Sequence, residues 1–190
     1  VSGDFYWLTQ KENTVYFTAS DCTGHGVPGA FVSMINMELL NEAINVKAIL
    51  KPGEIFDEVR KGLIRALKQT GAIGQQKDGM DAALCAITMK EDGKAVLQCA
   101  GGNNAVFLVR KTESPLEVTS ENKLFGEKKE FLELQSGRDG FFIYEVPHNK
   151  QPIGISDKLD PFTTYRMELD AGDTIYMSTD GYEDQFGGPN

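Results

Sequence analysis

Apolar and polar positions alternate over residues 4–9 and again over 14–20, and the short polar stretch Lys11-Glu12-Asn13 between them predicts a β-hairpin. Side chains alternate along a strand, so Val15, Phe17, Ala19 and Asp21 share one face. Asp4 begins the first strand and Asp21 ends its antiparallel partner, so both carboxylates are expected at the same end of the ladder. A helical pattern follows over residues 28–45, with Phe31, Met34, Ile35, Leu39, Leu40, Ala43 and Ile44 forming a broad apolar surface to be packed on a sheet, its methionines as core filler. Pro52-Gly53 starts a second helix running to residue 70. Its apolar stripe is Phe56, Val59, Leu63 and Leu67, and the opposite face of Asp57, Arg60, Lys61, Arg65 and Lys68 is expected to be solvated. After a polar loop over 71–79, strand patterns cover 81–90, 94–99 and 105–111, with Asp92-Gly93 as a hairpin turn. Residues 113–148 lose this rhythm except for a strand at 141–146, and they read as an elaboration of the sheet with no chemistry assigned. Strands at 162–169 and 174–179 close the pattern, the last running into Asp180-Gly181.

Composition narrows the possibilities. With 190 residues the chain can build one substantial core, and an apolar fraction of 41% with 25% charged residues fits a globular protein. A net charge of −9 speaks against nucleic acid and against insertion into an anionic membrane, and suits a protein that gathers carboxylates around cations. The three cysteines, Cys22, Cys85 and Cys99, have no zinc-like spacing. With only His25 and His148 available, a histidine-built zinc site is not expected. No run reaches transmembrane length. The sequence starts without Met and in mid-pattern, which reads as one domain of a larger protein.

The chemistry centres on Asp21-Cys22-Thr23-Gly24-His25-Gly26-Val27-Pro28-Gly29. A strand delivers a carboxylate, and a glycine-rich turn then opens a helix whose first turn suits Pro28. Asp21 either caps this turn or grips a hard cation beside free helix N–H groups that attract an anion. Gly24-His25-Gly26-Val27-Pro28-Gly29 also spells a dinucleotide-binding G-x-G-x-x-G. That motif requires a parallel strand after the helix and a ribose-binding acid at its end; here a second helix follows, and Asp21 would repel a pyrophosphate. Asp4, Asp21 and Asp180 all stand at strand edges beside glycine or turn residues. An oxygen-only donor set favours Mg or Mn. Asp78 and Asp81 flank Gly79-Met80, each either a turn residue or a further member of the cluster.

Ser2-Gly3-Asp4-Phe5-Tyr6, Asp21-x-x-Gly24-His25-Gly26 with Pro28-Gly29-Ala30, and Ser178-Thr179-Asp180-Gly181 resemble the metal-dependent protein phosphatases of the PPM class, in their bacterial branch typified by the stage II sporulation protein E phosphatase. The segments 78–84, 100–104 and 150–154 resemble that branch too, in the same order.

The resemblance implies an α+β fold: a four-layer α-β-β-α sandwich of two stacked antiparallel sheets flanked by helices. It implies a single phosphatase domain over residues 1–190 that stops before the family's C-terminal helix and strand, where a further metal-binding aspartate is found. The implied activity is Mn- or Mg-dependent hydrolysis of phosphoserine or phosphothreonine in a protein substrate by a metal-bridged hydroxide, in the output domain of a bacterial signalling protein. In that reading Asp21 bridges two ions, Asp4, Asp180 and the backbone carbonyl of Cys22 complete their shells, and Asp184 matches a position linked to a third ion. His25 is a candidate general acid, with a loop hydrogen-bonding role as its alternative. The partners implied are the phosphoprotein substrate and a fused or regulatory sensor domain, with a dimer also open. The location implied is cytoplasmic, including the cytoplasmic part of a membrane-bound sensor. The competing reading is a non-catalytic relative that uses the same fold to bind a partner.

Overall fold

The computed structural model describes residues 3–72, 77–111, 113, 115–132 and 134–182. Along the chain the elements are β1 (Phe5–Lys11), β2 (Thr14–Cys22), α1 (Gly26–Asn41), α2 (Pro52–Ala66), β3 (Gly79–Met89), β4 (Ala95–Gly102), β5 (Val106–Arg110), β6 (Leu116–Asn122), β7 (Gly126–Leu132), β8 (Leu134–Arg138), β9 (Phe141–Val146), β10 (Ile153–Gly154), β11 (Thr164–Leu169) and β12 (Thr174–Tyr176). A π-helical turn, Glu42–Val46, ends α1, and a 3₁₀ turn, Asp180–Tyr182, follows β12.

Two antiparallel sheets face each other. The larger has the order β1-β2-β3-β4-β11-β6-β7, with β10 paired to the start of β3; the smaller has the order β12-β5-β9-β8. The period-2 pattern of β2 explains the layering. Tyr16, Thr18, Ser20 and Cys22 are buried on one face, where Tyr16 and Cys22 join Val32 and Leu40 of α1, Ile55, Phe56, Val59 and Leu63 of α2, and Leu84. Phe17 turns the other way, into the core between the sheets with Cys85, Leu97, Cys99, Leu108, Val146 and Met167. The central strands of the larger sheet thus feed two cores, which is why β3 and β4 read as nearly continuous apolar runs.

Among the described residues both α-helices pack on the larger sheet. The two antiparallel sheets and the helices packed on them make the α+β fold that the resemblance implied. Two readings are corrected. Phe31 and Met34, expected in the core, are 60% and 65% exposed, because the buried stripe of α1 runs instead through Gly29, Val32, Ser33, Asn36 and Leu40. Asp57 and Arg60, expected in solvent, are buried. Asp57 Oδ1 accepts the Phe162 backbone N–H at 3.1 Å and pairs with Arg60 Nη2 at 3.1 Å, while the Arg60 guanidinium stacks 4.8 Å from the Phe162 ring centroid. The segment leading into β11 therefore lies across α2 and removes this pair from water, the condition under which a buried charge is tolerated.

Candidate metal centre

Three adjacent strands each bring a carboxylate to the same end of the larger sheet. The β1–β2 ladder ends at Phe5–Ser20, and Asp4 stands one residue beyond it, level with Asp21. Asp21 is in turn directly opposite Asp81 on β3. Directly opposed residues in an antiparallel pair point to the same face, so Asp21 and Asp81 both face the space between the sheets.

The start of β1 is held close to the loop after β2. The Cys22 N–H donates to the Gly3 carbonyl at 3.3 Å, and the buried Ser33 hydroxyl of α1 donates to the same carbonyl at 2.7 Å. Gly3 fits because it has no side chain: a Cβ there would lie 2.1 Å from the Cys22 carbonyl oxygen. In the turn that follows, Gly24 adopts φ +96°, a conformation natural only to glycine. The Thr23 N–H donates to the Gly79 carbonyl at 3.0 Å and the Gly79 N–H returns to Thr23 Oγ1 at 3.1 Å, which joins this turn to the start of β3.

The last carboxylate arrives from the other sheet. Ile175 and Met177 pack into the inter-sheet core, with Met177 Sδ 3.5 Å from Cys85 Sγ, and the chain then turns at Asp180. One carboxylate oxygen each from Asp4, Asp21 and Asp180 lie within 4.8 Å of one another. A shallow, open depression of 390 Å³ lies beside Asp4, lined by Tyr6, Ala19, Met177 and Thr179.

The electrostatics of this cluster are unfavourable without a cation. Burial, followed by the charges of Asp4 and Asp180, pushes the Asp21 carboxyl up to about 6. Burial also raises Asp81, helped by Asp180 and opposed by a hydrogen bond from Asn103. Among the described residues no lysine or arginine pairs with any of the four. An all-oxygen, anionic, half-exposed donor set without an internal counter-charge fits a hard divalent cation such as Mg or Mn.

A pH dependence follows. A carboxyl whose folded-state pKa is raised stabilises the fold below its unfolded value of 3.8, and that contribution is lost as pH rises through about 6. The cation-free protein is therefore expected to lose thermal stability across this window, while added Mn binds more tightly over the same rise because protons no longer compete. Thermal melts with EDTA and with Mn between pH 4 and 7 measure both trends.

The sequence matches no family model and no curated protein. Solved structures do match over nearly the whole chain. The SiaA PP2C domain of Pseudomonas aeruginosa is similar with a TM-score of 0.66 at 23% identity, over 99% of this chain and 59% of that one. A stage II sporulation E family protein from Thermanaerovibrio acidaminovorans gives 0.55 at 18% identity, over 95% and 82%. RsbX in complex with magnesium gives 0.51 at 12% identity, over 95% and 67%. The chain has the fold of the PPM-class, stage II sporulation E-like phosphatase domains. It spans about three-fifths of the length of the SiaA chain.

The other residues singled out from sequence take varied places in this PPM fold. Cys22 is buried, its Sγ accepting a 3.3 Å hydrogen bond from Asn36 Nδ2, so the thiol faces α1 and the helix-side core. Its carbonyl oxygen lies against Gly3, at the entry to Asp4. His25 is the exposed N-cap residue of α1, in extended conformation and with no side-chain capping bond. Asp184 lies outside the described residues. Asp78 precedes β3, its carbonyl accepting from Gln69 Nε2 at 2.8 Å. Asp81, which spacing left between a turn and the cluster, stands in the row. The signal for it was the strand pattern itself, since Asp81, Ala83 and Cys85 alternate onto one face. No helix among the described residues is long and apolar enough to cross a membrane.

Proposed function

We propose that this domain is a Mg- or Mn-dependent phosphatase that hydrolyses phosphoserine or phosphothreonine in a protein substrate. The observation that carries the proposal is the convergence of Asp4, Asp21 and Asp180 from two sheets onto one point. The fold it shares with PP2C and stage II sporulation E domains supports the reaction class, and the magnesium of RsbX supports the type of cation. When bound, a pair of such cations supplies an activated water and neutralises phosphoryl oxygens.

The chain's own residues do the holding. Asp21, beside both Asp4 and Asp180 and burdened by their charges, would be the principal ligand of the cations. Asp4 and Asp180 would hold them with it, and the Cys22 carbonyl and Asp184 are further candidate ligands. His25, exposed at the mouth of the glycine turn, is the candidate proton donor to the departing serine or threonine oxygen. The depression beside Asp4 is the candidate approach for a peptide chain. A role as the cytoplasmic output domain of a bacterial signalling protein, joined to or regulated by a sensor and able to dimerise, completes the proposal.

The test is hydrolysis of a phosphoserine peptide with Mn, with Mg and after EDTA treatment. Activity is expected only with a divalent cation, and readdition of Mn should restore it. Hydrolysis indifferent to chelation would overturn the cation-dependent reading. A protein that neither binds Mn nor releases phosphate would instead be the partner-binding relative.

A further inference from the structure

Asp81 stands in the row of carboxylates but takes no role in the reaction proposed above, yet it is held with more care than a strand-end residue needs. It opposes Asp21 on the β2–β3 ladder. Its Oδ1 accepts a 2.9 Å hydrogen bond from Asn103 Nδ2. Asn103 is itself fixed: it has φ +57°, bridges in parallel to Ala82, and donates its N–H to the Asn149 carbonyl at 2.9 Å. Asn149 donates in turn to the Gly101 carbonyl at 2.9 Å. Gly101 and Gly102 permit this closeness, since a Cβ at Gly101 would stand 2.1 Å from the Asn104 carbonyl oxygen. The turn of residues 101–104 is thus built to aim one amide at one carboxylate.

A simple tie between the turn and β3 would not call for a carboxylate. An asparagine at position 81 could bond Asn103 equally well, and it would spare β3 a charge directly opposite Asp21. Aspartate is disfavoured in strands, and like charges directly opposed across a ladder are destabilising. The amide engages Oδ1 and, among the described residues, Oδ2 carries no hydrogen bond. This is the arrangement by which outer residues orient a metal-binding carboxylate.

We propose that Asp81 is a fourth carboxylate ligand of the cation cluster and that Asn103 is its positioning residue. The proposal rests on the cation-dependent reading of Asp4, Asp21 and Asp180 and adds a donor from β3 to it. It makes the site a continuous row across three strands, closed by Asp180 from the opposite sheet. It also gives the 101–104 turn a role at the site, acting through Asp81 rather than on the substrate.

Calorimetric titration of Mn into the intact protein tests it, together with melting of the cation-free form. Asp81→Asn is expected to weaken Mn binding by about tenfold or more, while the cation-free protein melts no lower than the parent because a charge repulsion has been removed. Asn103→Gly keeps the positive φ accessible and deletes only the amide. It is expected to weaken Mn binding by about tenfold with Asp81 still present, and it keeps the test open should Asp81→Asn fold poorly. Parental Mn affinity in either variant would overturn the proposal, and a lowered melting point with parental affinity would assign the pair to holding the turn. Asp21→Asn serves as the reference: loss of Mn binding there with parental affinity in Asp81→Asn would sink this inference alone, whereas parental affinity in Asp21→Asn would sink the cation site itself.

Discussion

Asp21→Asn is expected to reduce phosphopeptide hydrolysis by about a thousandfold or more, roughly 4 kcal/mol of transition-state stabilisation, while leaving the protein folded. The amide has the carboxylate's shape and no charge, so it cannot share negative oxygens between cations. Asp21 lies at the end of β2, half-exposed, and its charge is opposed by Asp4 and Asp180. Removing that charge should let the cation-free variant melt slightly above the parent, and the upward shift with Mn should disappear. Phosphate-release kinetics alongside melts with and without Mn measure the two halves separately. Near-parental turnover in the folded variant would remove Asp21 from the mechanism.

Gly3→Ala is expected to damage site and fold together. The added methyl would meet the Cys22 carbonyl oxygen at 2.1 Å and the Gly24 carbonyl oxygen at 3.0 Å, both of them backbone atoms. Neither can rotate away, so the start of β1 must lift from the end of β2 and carry Asp4 away from Asp21. Overpacking of this kind costs ~1–3 kcal/mol. The Ser33 and Cys22 hydrogen bonds to the Gly3 carbonyl would lengthen as well. The expected result is a lower melting point with weakened Mn affinity, and an Mn titration equal to that of the parent would show that the approach of these two loops does not position the site.

The parts of this architecture that were legible in sequence share one property: their side-chain pattern is decided by close neighbours. The β1–β2 hairpin is such a case, because alternation in Val15, Phe17 and Ala19 reports two faces and the polar turn reports the reversal. The meeting of Asp4 and Asp21 followed from that register alone. β7 and β8 were illegible for the opposite reason. They lie at sheet edges, and β8 is exposed throughout, so no buried face imposes a rhythm on Leu134–Arg138. Asp57 and Arg60 were misread because what covers them is the distant segment around Phe162, which no helical wheel of α2 contains. Phe31 and Met34 were misread because an apolar surface wider than its contact leaves some residues outside. The arrival of Asp180 beside Asp4 depends on the docking of two sheets; its place at a strand edge beside Gly181 and the resemblance to a known family both pointed to it, while no local pattern could fix the meeting. Asp81 was half legible: its spacing offered the cluster, and pairing with β2 was needed to choose it.

Asp4 and Asp21 belong to the first hairpin, whereas Asp180 follows the last strand of the smaller sheet. A cation held by all three would therefore act as a staple between the first hairpin and the segment after β12, across the interface that closes the inter-sheet core. Such a staple cannot form until the sheets have docked, so it contributes nothing to the collapse of either one and acts afterwards on their separation. Its grip is set by concentration: a ligand at a hundredfold its dissociation constant adds ~2.7 kcal/mol against unfolding. The carboxylates that strain the empty fold become its clasp, and the same ion would serve the lifetime of the folded state as well as the reaction.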